Sequence, residues 1–161
     1  MTSIKNRLLL NIILIFSIFA LIAAYFIQYI LGHEPCNLCL IERIPYLVAV
    51  ILIFLIFFLK KHEKLISLIV GLFFIFGTII SFYHYGIEQG YFSESLVCDL
   101  SSGNLAASTQ DLLKQLETKT ISCKDVTFKI LGISLATFNT IISLIISAIM
   151  LNIVINYDKN R

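Results

Sequence analysis

The sequence has little charge. Only 14% of its 161 residues are Asp, Glu, Lys or Arg, and 58% are hydrophobic. Soluble domains are about a quarter charged and about half apolar, so an ordinary soluble domain is excluded. The net charge of +2 is also too small to indicate nucleic acid as a partner. The composition predicts a membrane protein whose surroundings are the lipid bilayer.

Charge is missing altogether from four long apolar runs, at residues 8–31, 44–59, 65–87 and 130–155. A helix needs about 20 apolar residues to cross a bilayer, and the second run reaches this length only with its flanks. The first run is longer than the apolar part of a signal peptide, and no small-x-small cleavage site follows it, so we interpret it as a retained anchor. The runs predict an all-α bundle of four transmembrane helices in a single domain, residues 1–161.

The basic residues indicate the orientation of the helices. Seven of the twelve lie in the two terminal tails and in the turn at residues 60–64, all of which are short. Lys and Arg collect on the cytoplasmic side of membrane proteins. We therefore expect both termini in the cytoplasm and residues 32–43 and 88–129 on the opposite, periplasmic face.

The longer periplasmic segment is expected to carry one more helix. Ser108 or Thr109 can cap it. Three leucines then fall on one of its faces: Leu112, Leu113 and Leu116. Because amphipathic helices of this kind lie in the plane of a membrane surface, we predict a short horizontal helix in the second periplasmic loop.

All four cysteines lie in the two segments predicted outside the cytoplasm: Cys36, Cys39, Cys98 and Cys123. Those segments are the smaller part of the chain, so this placement is rare by chance. Disulfides persist in oxidising compartments and are rare in the cytosol. The placement therefore indicates disulfide chemistry.

Cys36 and Cys39 form a C-x-x-C pair, which is typical of thioredoxin-like motifs, zinc sites and haem attachment. Haem attachment is excluded because Leu40 stands where a histidine is required. A thioredoxin-like motif needs a βαβ setting, and this pair lies between two membrane helices. A zinc site completed by Cys98 and Cys123 is disfavoured because those two do not form a second tight pair. We therefore expect no metal.

The surroundings of Cys39 favour a thiolate. Cys39 is predicted near the start of the second helix, where unpaired backbone N–H groups and the helix dipole favour an anion. Arg43 follows one turn later and adds a permanent cation on the same face. An arginine at this depth is often only reaching for lipid headgroups. Beside a C-x-x-C pair, we interpret it as part of a site where a lipid-soluble acceptor meets the thiolate.

Cys98 and Cys123 have two interpretations. A disulfide closing a loop of this size would stabilise the fold by about 3 to 4 kcal/mol in the chain-entropy model, so a structural bridge is the simpler one. A second pair on the same face as a C-x-x-C also permits disulfide exchange between the pairs. His84 also has two interpretations. It is either an ordinary interfacial histidine or, like Arg43, a hydrogen-bond donor to a quinone carbonyl.

Three stretches resemble the disulfide bond formation protein B family, DsbB, and the resemblance covers nearly the whole chain. Residues 35–46, PCNLCLIERIPY, are similar to the family's Pro-Cys-x-Leu-Cys-x-x-Gln/Glu-Arg signature. Residues 83–90 and 131–139 are similar to two further family segments. The resemblance implies an enzyme, a thiol:quinone oxidoreductase of the bacterial inner membrane with its cysteine loops in the periplasm. Its cofactor would be ubiquinone or menaquinone from the membrane quinone pool, held beside Arg43 and His84.

The resemblance also implies the redox disulfides, Cys36–Cys39 and Cys98–Cys123, and an order of exchange. A periplasmic thioredoxin-fold partner similar to DsbA, in its reduced form, would attack Cys98. Cys123 would then attack Cys36, and Cys39, freed as a thiolate, would pass its electrons to the quinone beside Arg43. DsbA is a strong oxidant, so only a still more oxidising acceptor can regenerate it.

Two alternatives stay open at this stage. A non-catalytic membrane protein stapled by disulfides would tolerate loss of Arg43, and transport is the poorer form of this alternative because the helices lack charged residues. A quinone reductase of the vitamin K epoxide reductase type also carries a C-x-x-C in a helical bundle. There the pair belongs to the last helix, whereas here it follows the first.

Overall fold

The computed structural model describes residues 4–58, 62–93, 98, 123–124, 129–130 and 132–157. Five helices and two short strands lie in these ranges: α1 (Ile4–Tyr29), α2 (Asn37–Ile41), α3 (Ile44–Phe58), α4 (Glu63–Glu88), β1 (Lys129–Ile130), β2 (Ile133–Ser134) and α5 (Leu135–Ile155). Four stretches are long and apolar enough to cross a membrane, namely α1, α2 with α3, α4, and α5. The predicted all-helical fold with four such helices is therefore confirmed. The predicted amphipathic helix at 108–116 lies outside the described residues, and the cytoplasmic placement of both termini stays a prediction.

The four long helices pack against one another in pairs. α1 packs against α3, α3 against α4, and α4 most extensively against α5. Gly71 of α4 leaves room for α5, since a side-chain carbon there would lie 3.4 Å from Met150 Cβ, and small residues are buried on both helices, including Ser67 on α4 and Ser143 and Ser147 on α5. Small residues let membrane helices approach each other, since burial of apolar surface gives no driving force within lipid. The apolar core lies where the helices meet, with Ile53, Phe74 and Met150 at its centre.

A break between α2 and α3 shapes the chain beside the cysteine pair. α2 ends at Ile41 and α3 begins at Ile44, because Pro45 has no N–H to donate and its ring disfavours helical backbone before it. Pro45 is fully buried against Gly77 of α4. A side-chain carbon at Gly77 would lie 2.9 Å from Pro45 Cγ, so only glycine lets α3 and α4 approach this closely.

A short hairpin leads into α5. Lys129 pairs with Ser134 and Ile130 with Ile133, in antiparallel register. Gly132 lies in the turn with φ 83°, in the left-handed region that glycine adopts without steric cost. Ser134 then caps α5 by accepting a hydrogen bond from Thr137 N at 3.3 Å. This hairpin was not predicted, and because of it α5 begins inside the apolar run that starts at residue 130.

Candidate functional site

The C-x-x-C pair lies at one end of the bundle. Cys36 is the N-cap of α2, and its sulfur accepts a hydrogen bond from Cys39 N at 3.3 Å. The two sulfur atoms lie 2.7 Å apart, and both cysteines are free thiols. A disulfide bond is about 2.05 Å long, so the sulfur atoms need only a small movement to reach bonding distance when an oxidant removes two electrons and two protons from the pair.

The helix-start effect expected at Cys39 falls on Cys36. The Pro45 break makes α2 a separate short helix, so the sulfur that receives a helix N-terminal N–H belongs to its N-cap, Cys36. The hydrogen bond with the Cys39 thiol, and less strongly that with His84, lower the pKa of the Cys36 thiol to about 4, although burial opposes this shift. Cys36 is therefore the sulfur that these surroundings favour as a thiolate.

His84 connects the cysteine pair to a buried carboxylate. Its Nε2 lies 3.7 Å from Cys36 Sγ, and its Nδ1 donates a hydrogen bond to Glu42 Oε1 at 2.8 Å. His84 is 4% exposed and Glu42 8%. Because Glu42 fixes the proton on Nδ1, Nε2 is left to accept a proton from the Cys36 thiol or, once protonated, to donate a hydrogen bond to its thiolate.

Asn139 of α5 holds Glu42 in place. Its amide nitrogen donates to Glu42 Oε2 at 3.0 Å and to Ser81 Oγ at 2.7 Å. Its oxygen accepts hydrogen bonds from Tyr46 Oη and, at 3.4 Å, from Ser143 Oγ. The network joins the α2–α3 junction, α4 and α5. A satisfied buried network of this kind fixes one arrangement of its members.

Glu42 and Asn139 were not predicted as site residues. Their hydrogen bond joins positions 97 apart in the sequence, and such a pairing leaves no periodic signal. One usable signal was present in Asn139, an amide within a long apolar run. A polar residue at membrane depth generally faces the bundle interior and marks a functional position.

Glu88 is a second buried carboxylate beside His84. Its Oε1 lies 3.8 Å from His84 Nε2, and its side chain is 5% exposed. Its Oε2 is buried without a hydrogen-bond partner among the described residues. Since buried polar atoms are almost always paired, this oxygen calls for an explanation.

A cavity of about 260 Å³ begins at the cysteine pair. One wall is formed by α1, where Ala20, Ala23 and Ala24 leave room, and the other by α5, with Phe138 and Ile142. The polar residues that line it lie around the cysteine pair and the hydrogen-bonded network beside that pair: His33, Glu34, Cys36, Cys39, Glu42, Arg43, Tyr46, His84, Glu88 and Asn139. The cavity therefore brings the predicted Cys36, Cys39, Arg43 and His84 together around one space.

Arg43 is held at the edge of this cavity by α1. Its Nη1 donates to Gln28 Oε1 at 2.7 Å, and its guanidinium carbon lies 5.1 Å from the ring centroid of Tyr25. Both contacts fix a cation close to the bundle surface. Arg43 therefore places a positive charge at the α1 wall of the cavity.

The structure joins Cys98 and Cys123 by a disulfide, with their Cα atoms 5.9 Å apart. Both residues are buried, and they pack in one cluster with Cys36, Leu38 and Ile87. Residues 99–122, which connect the two cysteines, lie outside the described ranges. The two cysteine pairs are thus neighbours within one packed region.

Comparison with known proteins is consistent with this geometry. The sequence model of the family named Disulfide bond formation protein DsbB matches residues 6–153. The chain belongs to the DsbB family. An uncharacterized protein of Rickettsia prowazekii (strain Madrid E), RP370, is 30% identical over 155 residues, covering 94% of this chain and 90% of that protein. No solved structure matches the chain. As a DsbB-family member with four apolar helices, the protein is a multi-pass membrane protein of disulfide bond formation, and the family indicates a disulfide oxidoreductase.

Proposed function

We propose that this DsbB-family protein is a thiol:quinone oxidoreductase of the bacterial inner membrane. It would reoxidise a DsbA-like dithiol protein at its periplasmic face and pass the electrons to ubiquinone or menaquinone. The observation that carries the proposal is the position of Cys36 and Cys39 among the polar residues of an otherwise apolar cavity within the membrane-spanning bundle. A water-soluble electron donor and a lipid-soluble acceptor can both reach such a position.

The residues around the cavity fit a quinone. Small and apolar side chains of α1 and α5 form walls against which a flat ring can pack, and donors such as Arg43 and His84 stand among the polar residues for its carbonyl oxygens. The cavity measures about 260 Å³, slightly below the roughly 300–1,000 Å³ of common ligand pockets, so it would hold only the headgroup, with the long tail left in the bilayer. A bound quinone would accept two electrons and two protons and leave as the hydroquinone.

The cysteine pairs would carry the electrons by disulfide exchange. A thiolate of the partner attacks Cys98 and forms a mixed disulfide, which releases Cys123 as a thiolate. Cys123 attacks Cys36 of the Cys36–Cys39 disulfide and releases Cys39. The second thiol of the partner then resolves the mixed disulfide at Cys98, and Cys98 attacks Cys123, which frees Cys36. The partner has lost two electrons and two protons, and the C-x-x-C pair has become a dithiol.

The geometry around Cys36 supports this order. Cys36 is a buried member of the cluster that contains Cys98 and Cys123, whereas Cys39 only packs against that cluster, and this favours Cys36 as the sulfur that a neighbouring thiolate attacks. When Cys36 leaves, the same sulfur lies 3.7 Å from His84 Nε2. His84, held by Glu42, would stabilise the departing thiolate and later take up the thiol proton.

A block in the cavity tests the proposal. Ala24→Phe fills the α1 wall and should lower steady-state turnover with added quinone by at least about tenfold, since small displacements in a site already cost this much. It should leave the first, stoichiometric oxidation of a reduced DsbA-like partner intact, because stored disulfides supply that step. Ile22→Phe is the matched control, since Ile22 lies on the same helix and is 62% exposed. Unchanged turnover in Ala24→Phe would contradict the assignment of the cavity to quinone.

A further inference from the structure

Three metal-binding atoms converge at the candidate site. Cys36 Sγ, Cys39 Sγ and His84 Nε2 all lie within 4.8 Å of one another. Tetrahedral zinc with Zn–S of about 2.3 Å and Zn–N of about 2.0 Å requires S···N separations of about 3.6 Å and S···S separations of about 3.8 Å. The distance from Cys36 Sγ to His84 Nε2 is already 3.7 Å. The two sulfur atoms, 2.7 Å apart, need to separate by about 1 Å.

The imidazole of His84 is oriented as metal-binding histidines are. Such histidines almost always donate their second ring N–H to a carboxylate or carbonyl, which fixes the tautomer and aims the free nitrogen at the metal. His84 does this through Nδ1 to Glu42 Oε1 at 2.8 Å. Asn139 in turn donates to the other oxygen of Glu42. A metal ion would therefore find Nε2 aimed at the cysteine pair and held in place.

Glu88 provides an independent observation that points to a cation. Its side chain is 95% buried beside the same nitrogen, with Oε1 3.8 Å from His84 Nε2. Its Oε2 has no hydrogen-bond partner among the described residues. Zinc accepts carboxylate oxygen as a ligand. Glu88 borders the three atoms on the His84 side, and a shift of its carboxylate towards the sulfur atoms would make it the fourth ligand and give Oε2 a partner.

We propose that the reduced form of this site binds one Zn²⁺ through Cys36, Cys39 and His84, with Glu88 in the fourth position. Binding displaces the protons that the two sulfur atoms and His84 Nε2 still hold and transfers no electrons, and two thiolates neutralise the charge of the ion. The disulfide form offers no thiolate, so the site opens only on reduction. Zinc and disulfide formation then compete for the same two sulfur atoms. This site differs from the four-cysteine arrangement disfavoured from the sequence, because His84 and Glu88 replace the second cysteine pair.

Cobalt titration of the full-length protein in detergent tests the proposal without quinone or partner, so its result does not depend on the proposed function. The protein is reduced with a phosphine, freed of reductant under anaerobic conditions, and titrated with Co²⁺ as a spectroscopic substitute for Zn²⁺. We expect thiolate-to-cobalt charge-transfer bands and tetrahedral ligand-field bands that saturate at one Co²⁺ per chain. Zn²⁺ should abolish them by displacement, and prior oxidation should prevent them. Absence of these bands in the reduced protein would overturn the proposal.

Matched variants identify the ligands. His84→Gln should weaken binding by about 10- to 100-fold or more, and Glu42→Gln by about 10-fold, the range measured for residues that orient metal ligands. His62→Gln should change nothing, because His62 is exposed at the start of α4, far along the helix from His84. The double variant Cys98→Ser with Cys123→Ser should keep the bands. Bands lost in that double variant, or an affinity unaffected by His84→Gln, would each refute the assignment.

Glu88→Gln keeps the test decisive if His84→Gln does not fold, since the amide has nearly the shape of the carboxylate. It should shift the ligand-field bands and lower the affinity for Co²⁺ several-fold, because a charged oxygen ligand is replaced by a neutral one. An unchanged spectrum and affinity would remove Glu88 from the ligand set and contradict the proposed fourth position.

Discussion

The two cysteine pairs of this protein lie in one packed cluster but differ in what surrounds them. Cys36 and Cys39 are neighbours on one helical turn, their thiols are hydrogen-bonded to each other, and the sulfur of Cys36 is also hydrogen-bonded to His84. Cys98 and Cys123 are 25 positions apart and are joined directly by a disulfide. A buried polar network contacts the first pair through His84 and affects the pKa of Cys36. The second pair joins two distant parts of the chain beside the first pair. Under the proposed function, the first pair would deliver electrons to the quinone and the second would relay them from the partner.

The largest effect is expected from separating the two roles by mutation. Cys36→Ser and Cys98→Ser should each reduce partner-driven quinone reduction by at least about 100-fold. A small dithiol reductant can attack the C-x-x-C disulfide without the second pair, so it should restore quinone reduction in Cys98→Ser but not in Cys36→Ser. Quinone absorbance followed with each donor makes the comparison. Rescue of both variants, or of neither, would show that the two pairs do not have separate roles.

A second effect is expected in the pH dependence of Cys36. Its pKa of about 4 means that the thiolate dominates above this pH, so its alkylation rate should be nearly flat from about pH 6 to 8. Cys39→Ala removes the largest interaction that lowers this pKa, and His84→Gln removes a smaller one. The pKa should rise in both variants, more in Cys39→Ala, and alkylation at neutral pH should slow accordingly. Mass spectrometry of alkylated Cys36 across a pH series gives the profile, and a wild-type profile that titrates near 9 would refute the account.

The smallest effect concerns the helix packing behind the first pair. Gly77→Ala places a methyl group 2.9 Å from the Pro45 ring, and overpacking of this kind costs about 1–3 kcal/mol. Gly71→Ala is the matched control, because its new carbon would meet Met150 Cβ at an ordinary 3.4 Å, and alanine favours a helix by up to about 1 kcal/mol over glycine.

Thermal unfolding in detergent should therefore show a lower midpoint for Gly77→Ala and an unchanged or higher midpoint for Gly71→Ala. Because Pro45 directly follows the α2–α3 junction, Gly77→Ala should also alter the reactivity of Cys36 and leave the Cys98–Cys123 disulfide intact. Equal unfolding midpoints for the two variants would show that the α3–α4 contact tolerates a methyl group at Gly77, which would contradict the account.

The helices could be predicted from the sequence because a bilayer imposes a simple requirement on it. Each spanning segment must be long and free of charge, and four runs such as residues 65–87 satisfy this without reference to the rest of the chain. The cysteine pair and Arg43 could be singled out by their spacing along the chain, and His84 by the resemblance to the DsbB family. What could not be predicted depends on contacts between distant residues.

The Glu42 network illustrates this limit. No role could be assigned to Glu42 from the sequence, yet in the structure its carboxylate joins His84 of α4 to Asn139 of α5. The position of the helix start was also missed, since the burial of Pro45 against Gly77 is a tertiary contact that separates α2 from α3. As a result the N-cap is Cys36, and the sulfur favoured as a thiolate is the other member of the pair.

The central claim is that electrons pass from a dithiol partner through both cysteine pairs into the cavity. It is tested most directly by anaerobic mixing of the purified, quinone-loaded protein with a reduced DsbA-like partner, with quinone absorbance recorded and mixed disulfides trapped by acid. We predict quinone loss that depends on the partner, at one quinone per partner dithiol oxidised, together with an adduct linked through Cys98. A preparation that reduces quinone with a small dithiol but shows no partner-dependent quinone loss would contradict the account.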